Sequence, residues 1–245
     1  ADSYVLIDMF LFNDFLGAAT TTHRLLSKEL VTTLIEKKKE SPNIIIWLIT
    51  DPLNTIYGSY ESPQLTQLRK HGISVILTNL TKLRDSNPLY SMWWRTFLRH
   101  MPNIGGAWLP NMLDAEKPKV TLSSYLTLFN FKANHRKLIV ADSMKNESRI
   151  WRTLITSANP HDGSSEHSNI ALMIESAPLA SSTVRSEQAV ATMADVDFLS
   201  PAIDTNAAMV SSDISVQLLT EGAIKDAVLA GIDRLGTGDT IDLVM

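Results

Sequence analysis

Residues 43–50 read NIIIWLIT, an apolar and β-branched run closed by Asp51-Pro52. Its length suits a strand covered on both faces. The longest wholly apolar stretch, residues 44–49, is far short of the ~20 residues that cross a bilayer. Two similar runs flank it, residues 4–12 (YVLIDMFLF) and residues 73–78 (ISVILT). Between the first two, Leu25, Leu26, Leu30, Leu34 and Ile35 recur near the 3.6 period, which predicts a helix over 23–39. That helix ends in Lys37, Lys38 and Lys39, favourable at the negative end of its dipole. A second helix opens with Ser62 as N-cap and Pro63 at its first position, buries Leu65 and Leu68, and stops at Gly72. Strand, helix, strand, helix, strand predicts an α/β fold with a mixed sheet sandwiched between helices.

Further along, residues 80–130 are rich in Trp and Pro and predict short helices and loops, one helix near 89–100. Strands are predicted at 137–141, 151–156, 169–174 and 214–219, and helices at 182–194 and 224–235. Residues 240–245 (TIDLVM) read as the start of another strand. They echo the opening, since ADSYVLIDM and GDTIDLVM both run Asp, Ser or Thr, then an apolar string. We therefore expect residues 1–220 to form one lobe and residues 221–245 to open a second, similar one.

The chain has 245 residues, of which 44% are hydrophobic and 20% charged, enough apolar matter for a large core. Disordered, collagen-like and disulfide-stapled classes are excluded. With no cysteine, thiol nucleophiles and cysteine-ligated zinc are excluded too. A formal net charge of −4 denies the molecule the global positive field of a duplex-DNA binder, though not a local basic pocket. Asp2 and Asp8 lie near the start without a basic segment, so no signal peptide is expected. The chain reads as soluble or membrane-peripheral, with export and compartment left open.

Chemistry concentrates in two segments. Residues 134–142 (NHRKLIVAD) place His135 and Lys137 two apart on a strand, hence on one face, with Asp142 further along. Residues 156–169 (TSANPHDGSSEHSN) place Ser157 and Asn159 two apart at a strand end, able to point at one place. The spacing H-x-K-x4-D followed by S-x-N resembles the phospholipase D superfamily, including its bacterial phospholipase D and cardiolipin synthase-like members. Thr156 stands where that family usually has Gly, and residues 143–153 look like a short insertion between the halves of the motif. The resemblance implies a metal-independent phosphodiesterase without cofactor, acting on phospholipid headgroups by hydrolysis or transphosphatidylation.

In that reading His135, Lys137 and Asp142 are catalytic, while Ser157 and Asn159 bind the phosphate. Glu166, His167 and Asn169 follow on the same loop and are further candidates for substrate contact. A neutral imidazole can attack phosphorus, a second imidazole can protonate the leaving alkoxide, and Lys and amide donors can take the place of a metal. Asp142 is expected to orient a histidine or its strand. Only one such motif is present: His23, His71, His100, His161 and His167 all lack a Lys two residues on. A second catalytic half, covalent or from a homodimer partner, is implied. A nuclease of the same superfamily and a non-catalytic lobe that binds anions or a partner remain alternatives. His161 and His167 lack the spacing and the third ligand of a zinc site. The aromatic segment 90–108 suits a membrane interface or an acyl-chain groove, but such residues more often form core under a long loop, and core is expected here.

Overall fold

A computed structural model describes residues 1–17, 24–101, 106–205 and 214–241. Six strands form one mixed sheet in the order β3-β2-β1-β4-β5-β6. β1 (Tyr4–Met9), β2 (Ile45–Thr50) and β3 (Ser74–Leu77) run parallel. They are linked by α1 (Leu26–Glu40) and α2 (Pro63–Lys70). β4 (Lys137–Lys145) joins β1 antiparallel, and β5 (Ser148–Thr156) and β6 (Ala171–Glu175) continue as a meander. α3 (Pro88–Thr96) and α4 (Leu122–Leu128) occupy the irregular middle segment, and α5 (Ala177–Met193) follows β6.

Alternation along β1 builds both cores at once. Val5, Ile7 and Met9 pack with Val31, Leu34 and Ile35 of α1 and with Leu65 and Leu68 of α2. Tyr4 and Leu6 face the other way, toward Ala180, Val184, Val190 and Ala191 of α5. The fold is thus a three-layer α/β unit, with the fully buried β1 between β2 and β4. Ser62 caps α2 by accepting from the Leu65 amide, and Gly72 follows that helix at φ +75°, the left-handed region glycine enters freely.

Several expectations are corrected. α1 starts at Leu26 rather than residue 23, and its cap comes from across the fold: the Ser27 amide donates to Asp162 at 2.9 Å. Residues 143–153, which lie between the two halves of the motif, are the extension of β4 and β5 into a hairpin, turned by Asn146 and Glu147 at φ +49° and +64°. Residues 214–219 form no strand, because no hydrogen-bonded ladder forms on them. Residues 242–245 lie outside the described residues. The aromatic segment is not buried core: Trp93 and Trp108 are both more than half exposed. The chain divides into two compact units, Ala1–Ala207 and Ala208–Met245, and the second contains α6 (Gly222–Asp233).

Asp142 ties the beginning of the chain to the sheet. Its buried carboxylate accepts from the backbone amides of Ser3 (2.9 Å), Tyr4 (2.8 Å) and Asp2 (3.3 Å) and from the Ser3 hydroxyl (2.6 Å). Burial pushes its pKa up, but those donors outweigh it and hold the carboxyl below its ordinary value. The contribution is therefore present above the ordinary carboxylate range and lost as pH falls through the folded-state pKa. Replacing Asp142 with Ala strands buried donors, and we expect it to destabilise the fold by about 2–4 kcal/mol in urea titrations. The variant should also lose less stability than the native chain between pH ~5 and ~3.

Candidate active site

The carboxyl ends of β1, β2, β3 and β5 and the amino end of β4 share one edge of the sheet. Polar side chains collect at such an edge because helices leave it uncovered. Its floor is Asn134, the residue before His135. The Asn134 side-chain amide donates to both carboxylate oxygens of Asp8 at 2.9 Å and to the Thr78 hydroxyl at 3.0 Å. Its backbone N–H donates to Asp51 at 2.7 Å. One residue thus joins groups from β1, from the turn after β2 and from the end of β3, and fixes where β4 begins.

The loop after β1 is fastened from both sides. Asn54 accepts from the Phe12 amide (2.8 Å) and donates to the Phe10 carbonyl (2.8 Å). The Leu11 amide donates to Asn159 Oδ1 at 3.0 Å. Phe10 and Leu11 are adjacent, and together they gather the site. The Phe10 ring lies 4.6 Å from the His135 ring, and Lys137 Nζ stands 5.5 Å above the Phe10 centroid. Lys137 Nζ is 3.3 Å from each ring nitrogen of His135 and donates to its carbonyl at 3.2 Å. Asn159 uses its carbonyl oxygen on Leu11, so its NH₂ group remains for an anion.

Burial lowers the pKa of His135, and the adjacent Lys137 cation lowers it further. Burial also lowers Lys137, opposed by the Asp8 charge. The imidazole is accordingly held neutral beside a cation, the state a nucleophile toward phosphorus needs. Below it, burial drives Asp8 well above the carboxylate range, and the charge and hydrogen bond of Glu187 raise it again. Glu187 is itself buried and paired with Arg136 at 3.0 Å. Burial takes Asp51 up to about 6 against the pull of the Leu53 and Asn134 amides.

The remaining sequence-derived candidates lie as follows. Asp142 points into the opposite face of β4 from His135 and Lys137, five residues past the lysine, ~16 Å along the strand. Within this chain it orients the strand, not a histidine. Ser157 Oγ donates to Asn169 Oδ1 at 3.0 Å and accepts from the Ile170 amide at 3.0 Å. Its proton is therefore spent on bracing the loop to β6, together with the bond from Asn169 Nδ2 to the His167 carbonyl at 2.8 Å. Glu166 and His167 are exposed on that loop. Its other end is seated by Gly163, where a Cβ would come 2.7 Å from the Phe15 carbonyl oxygen. Among the described residues, no cluster of three or more His, Asp and Glu side chains is placed to hold a metal.

Phe10, Asn54, Asn134, Asp8 and Glu187 were not singled out from the sequence. The last two did carry a signal: Asp8 is an acid inside an otherwise apolar strand, and Glu187 an acid on the buried stripe of α5. No family model, curated protein or solved structure matches the chain.

The His135 environment has a direct readout. In a proton-detected pH titration, His135 should titrate below free histidine. Lys137→Met should raise it without restoring the free value, because burial is the larger cause. Titration of His135 above free histidine would contradict this electrostatic account.

Proposed function

We propose that this chain contributes one half of the active site of a metal-independent phosphodiesterase of the phospholipase D type. The observation that carries the reading is the convergence on Phe10 and Leu11: a neutral imidazole, a lysine ammonium and an oriented carboxamide at one sheet edge. An imidazole alone on a surface has no such company. The substrate would be a phospholipid or another phosphodiester, with its non-bridging oxygens taken by Lys137 Nζ and the Asn159 NH₂.

The steps follow from those groups. A ring nitrogen of His135 forms a bond to phosphorus as the phosphorus–oxygen bond to the leaving alcohol breaks. A protonated imidazole from a second motif transfers its proton to the departing alkoxide. Water or an alcohol then attacks phosphorus from that side, gives its proton to the same imidazole, and the phosphorus–nitrogen bond breaks. In the reverse assignment His135 is the acid, and the second imidazole the nucleophile. Its lowered pKa favours the nucleophilic role. The second motif would come from a second copy or from another segment of a longer protein.

The test is turnover of short-chain phosphatidylcholine, with bis(p-nitrophenyl) phosphate and single-stranded DNA as competing substrates. We expect turnover that survives EDTA. It should fall by at least ~10³-fold in His135→Ala and by about 10²-fold in Asn159→Ala. An acid-labile phosphoryl adduct should be trapped on His135 after rapid alkaline quenching. If a second copy completes the site, activity rises with the square of chain concentration. Turnover unaffected by His135→Ala would overturn the proposal, and cleavage confined to DNA would replace the lipid substrate by nucleic acid.

A further inference from the structure

α3 carries its apolar stripe outward. Leu89, Met92, Trp93 and Phe97 recur at helical spacing, and all four are more than half exposed. The other face is fastened to the body of the lobe. Ser91 is buried, the Tyr90 hydroxyl donates to the Leu126 carbonyl at 2.7 Å, and Trp94 lines a small cavity with Leu80, Thr127 and Lys132. Arg95 and Lys132 both pair with Asp85 at 2.7 Å. A helix held this firmly by its polar and mixed side presents its hydrophobic side to solvent by construction.

Aromatic contacts lie on both sides of the helix. Trp93 and Phe97 lie 5.1 Å apart between ring centroids. Tyr90 meets Phe129 edge-on at 6.0 Å, and Phe129 meets Phe131 at 6.4 Å. Phe131 is 63% exposed and precedes His135 by four residues.

Charge indicates the occupant. Residues 80–101 hold Lys82, Arg84, Arg95 and Arg99 against the single acid Asp85, so 4 − 1 = +3. The chain as a whole is −4, which leaves −7 on the rest. Lys82 pairs with Asp195 and Arg95 with Asp85, while Arg84 and Arg99, which flank α3 in sequence, are exposed. Trp, Phe, Leu and Met ringed by Arg and Lys is the composition that lies in the headgroup–acyl boundary of a membrane. The first unit, Ala1–Ala207, is net neutral and so carries −3 outside this segment; an anionic surface attracts this face and repels the rest of that unit, which orients it. A two-fold self-interface would instead set the +3 patch against its own copy.

We infer that the outward face of α3 docks on an anionic lipid surface. None of the described helices is long and apolar enough to cross a membrane, so the contact is interfacial. This rests on and deepens the lipid phosphodiesterase reading, because it holds the chain at the surface where a phospholipid substrate resides.

Docking can be measured apart from turnover, by co-sedimentation of the His135→Ala chain with vesicles. It should bind vesicles of equal parts phosphatidylcholine and phosphatidylglycerol, bind phosphatidylcholine alone far more weakly, and lose binding as salt rises. Trp93→Ala/Phe97→Ala should weaken binding roughly tenfold or more. Arg84→Glu/Arg99→Glu, confined to exposed side chains, should do so only for the anionic vesicles. No binding to anionic vesicles, or binding indifferent to both variants, overturns the inference. So does sedimentation velocity showing that the native chain self-associates through this face, with the variants becoming monomeric and vesicle binding unchanged. Failure here leaves the phosphodiesterase proposal standing, because no turnover is read, and failure of turnover leaves docking standing.

Discussion

Asn134 is the residue on which the polar sheet edge around His135 depends. An amide side chain has two donors and one acceptor, and here the donors go to a carboxylate on the central strand and a hydroxyl at the end of β3. The backbone of the same residue donates to Asp51. Buried carboxylates are costly unless they are hydrogen-bonded or protonated, and this arrangement uses both remedies. Asp51 accepts two backbone amides, whereas Asp8 is driven toward its neutral form beside Glu187. The chain entering β4 is thereby pinned immediately before His135. The imidazole then needs only Phe10 beneath it and Lys137 beside it to have a defined place.

The fold was legible because its information is periodic. Runs such as IIWLIT and YVLIDM have one reading once their length is set against Pro42, Asp51-Pro52 and Gly72, and the helices between them follow from spacing and caps. The errors fall where periodicity is silent. The hairpin at Asn146 and Glu147 has no Gly to announce its turn, so the outer ends of β4 and β5 do not read as strand. Residues 214–219 have strand composition, but strand formation depends on a partner, which composition cannot supply. The start of α1 depends on Asp162, far away in sequence.

The site was legible to the extent that it is local. His135 and Lys137 share a face by strand geometry alone, and Asn159 follows from a strand end. What spacing could not give was the division of labour. Asp142 and Ser157 belong to the same pattern as His135, yet their hydrogen bonds are taken up by the start of the chain and by the loop before β6. The residues that fix the surroundings of His135, Phe10 and Asn54, are ordinary in sequence, since their roles arise from contacts between separate loops. The exposed aromatic stripe is a similar case. Composition could not tell an inward Trp from an outward one, and the anchoring of α3 by Tyr90, Ser91 and Trp94 decides it.

The proposed chemistry constrains the second motif it calls for. A single lobe presents one neutral imidazole with a cation beside it, which suits attack on an anionic phosphodiester and is a poor environment for an acid. The proton for the leaving alkoxide must come from a group whose surroundings push its pKa the other way. Such a partner needs a carboxylate near its imidazole, whereas in this lobe Asp8 and Glu187 are buried and committed to Asn134 and Arg136. Two lobes with identical environments would pull both histidines down together. A symmetric pair would therefore have to break symmetry on binding substrate, whose negative charge raises whichever imidazole is not attacking. A second, non-identical lobe can instead build the difference into its sequence.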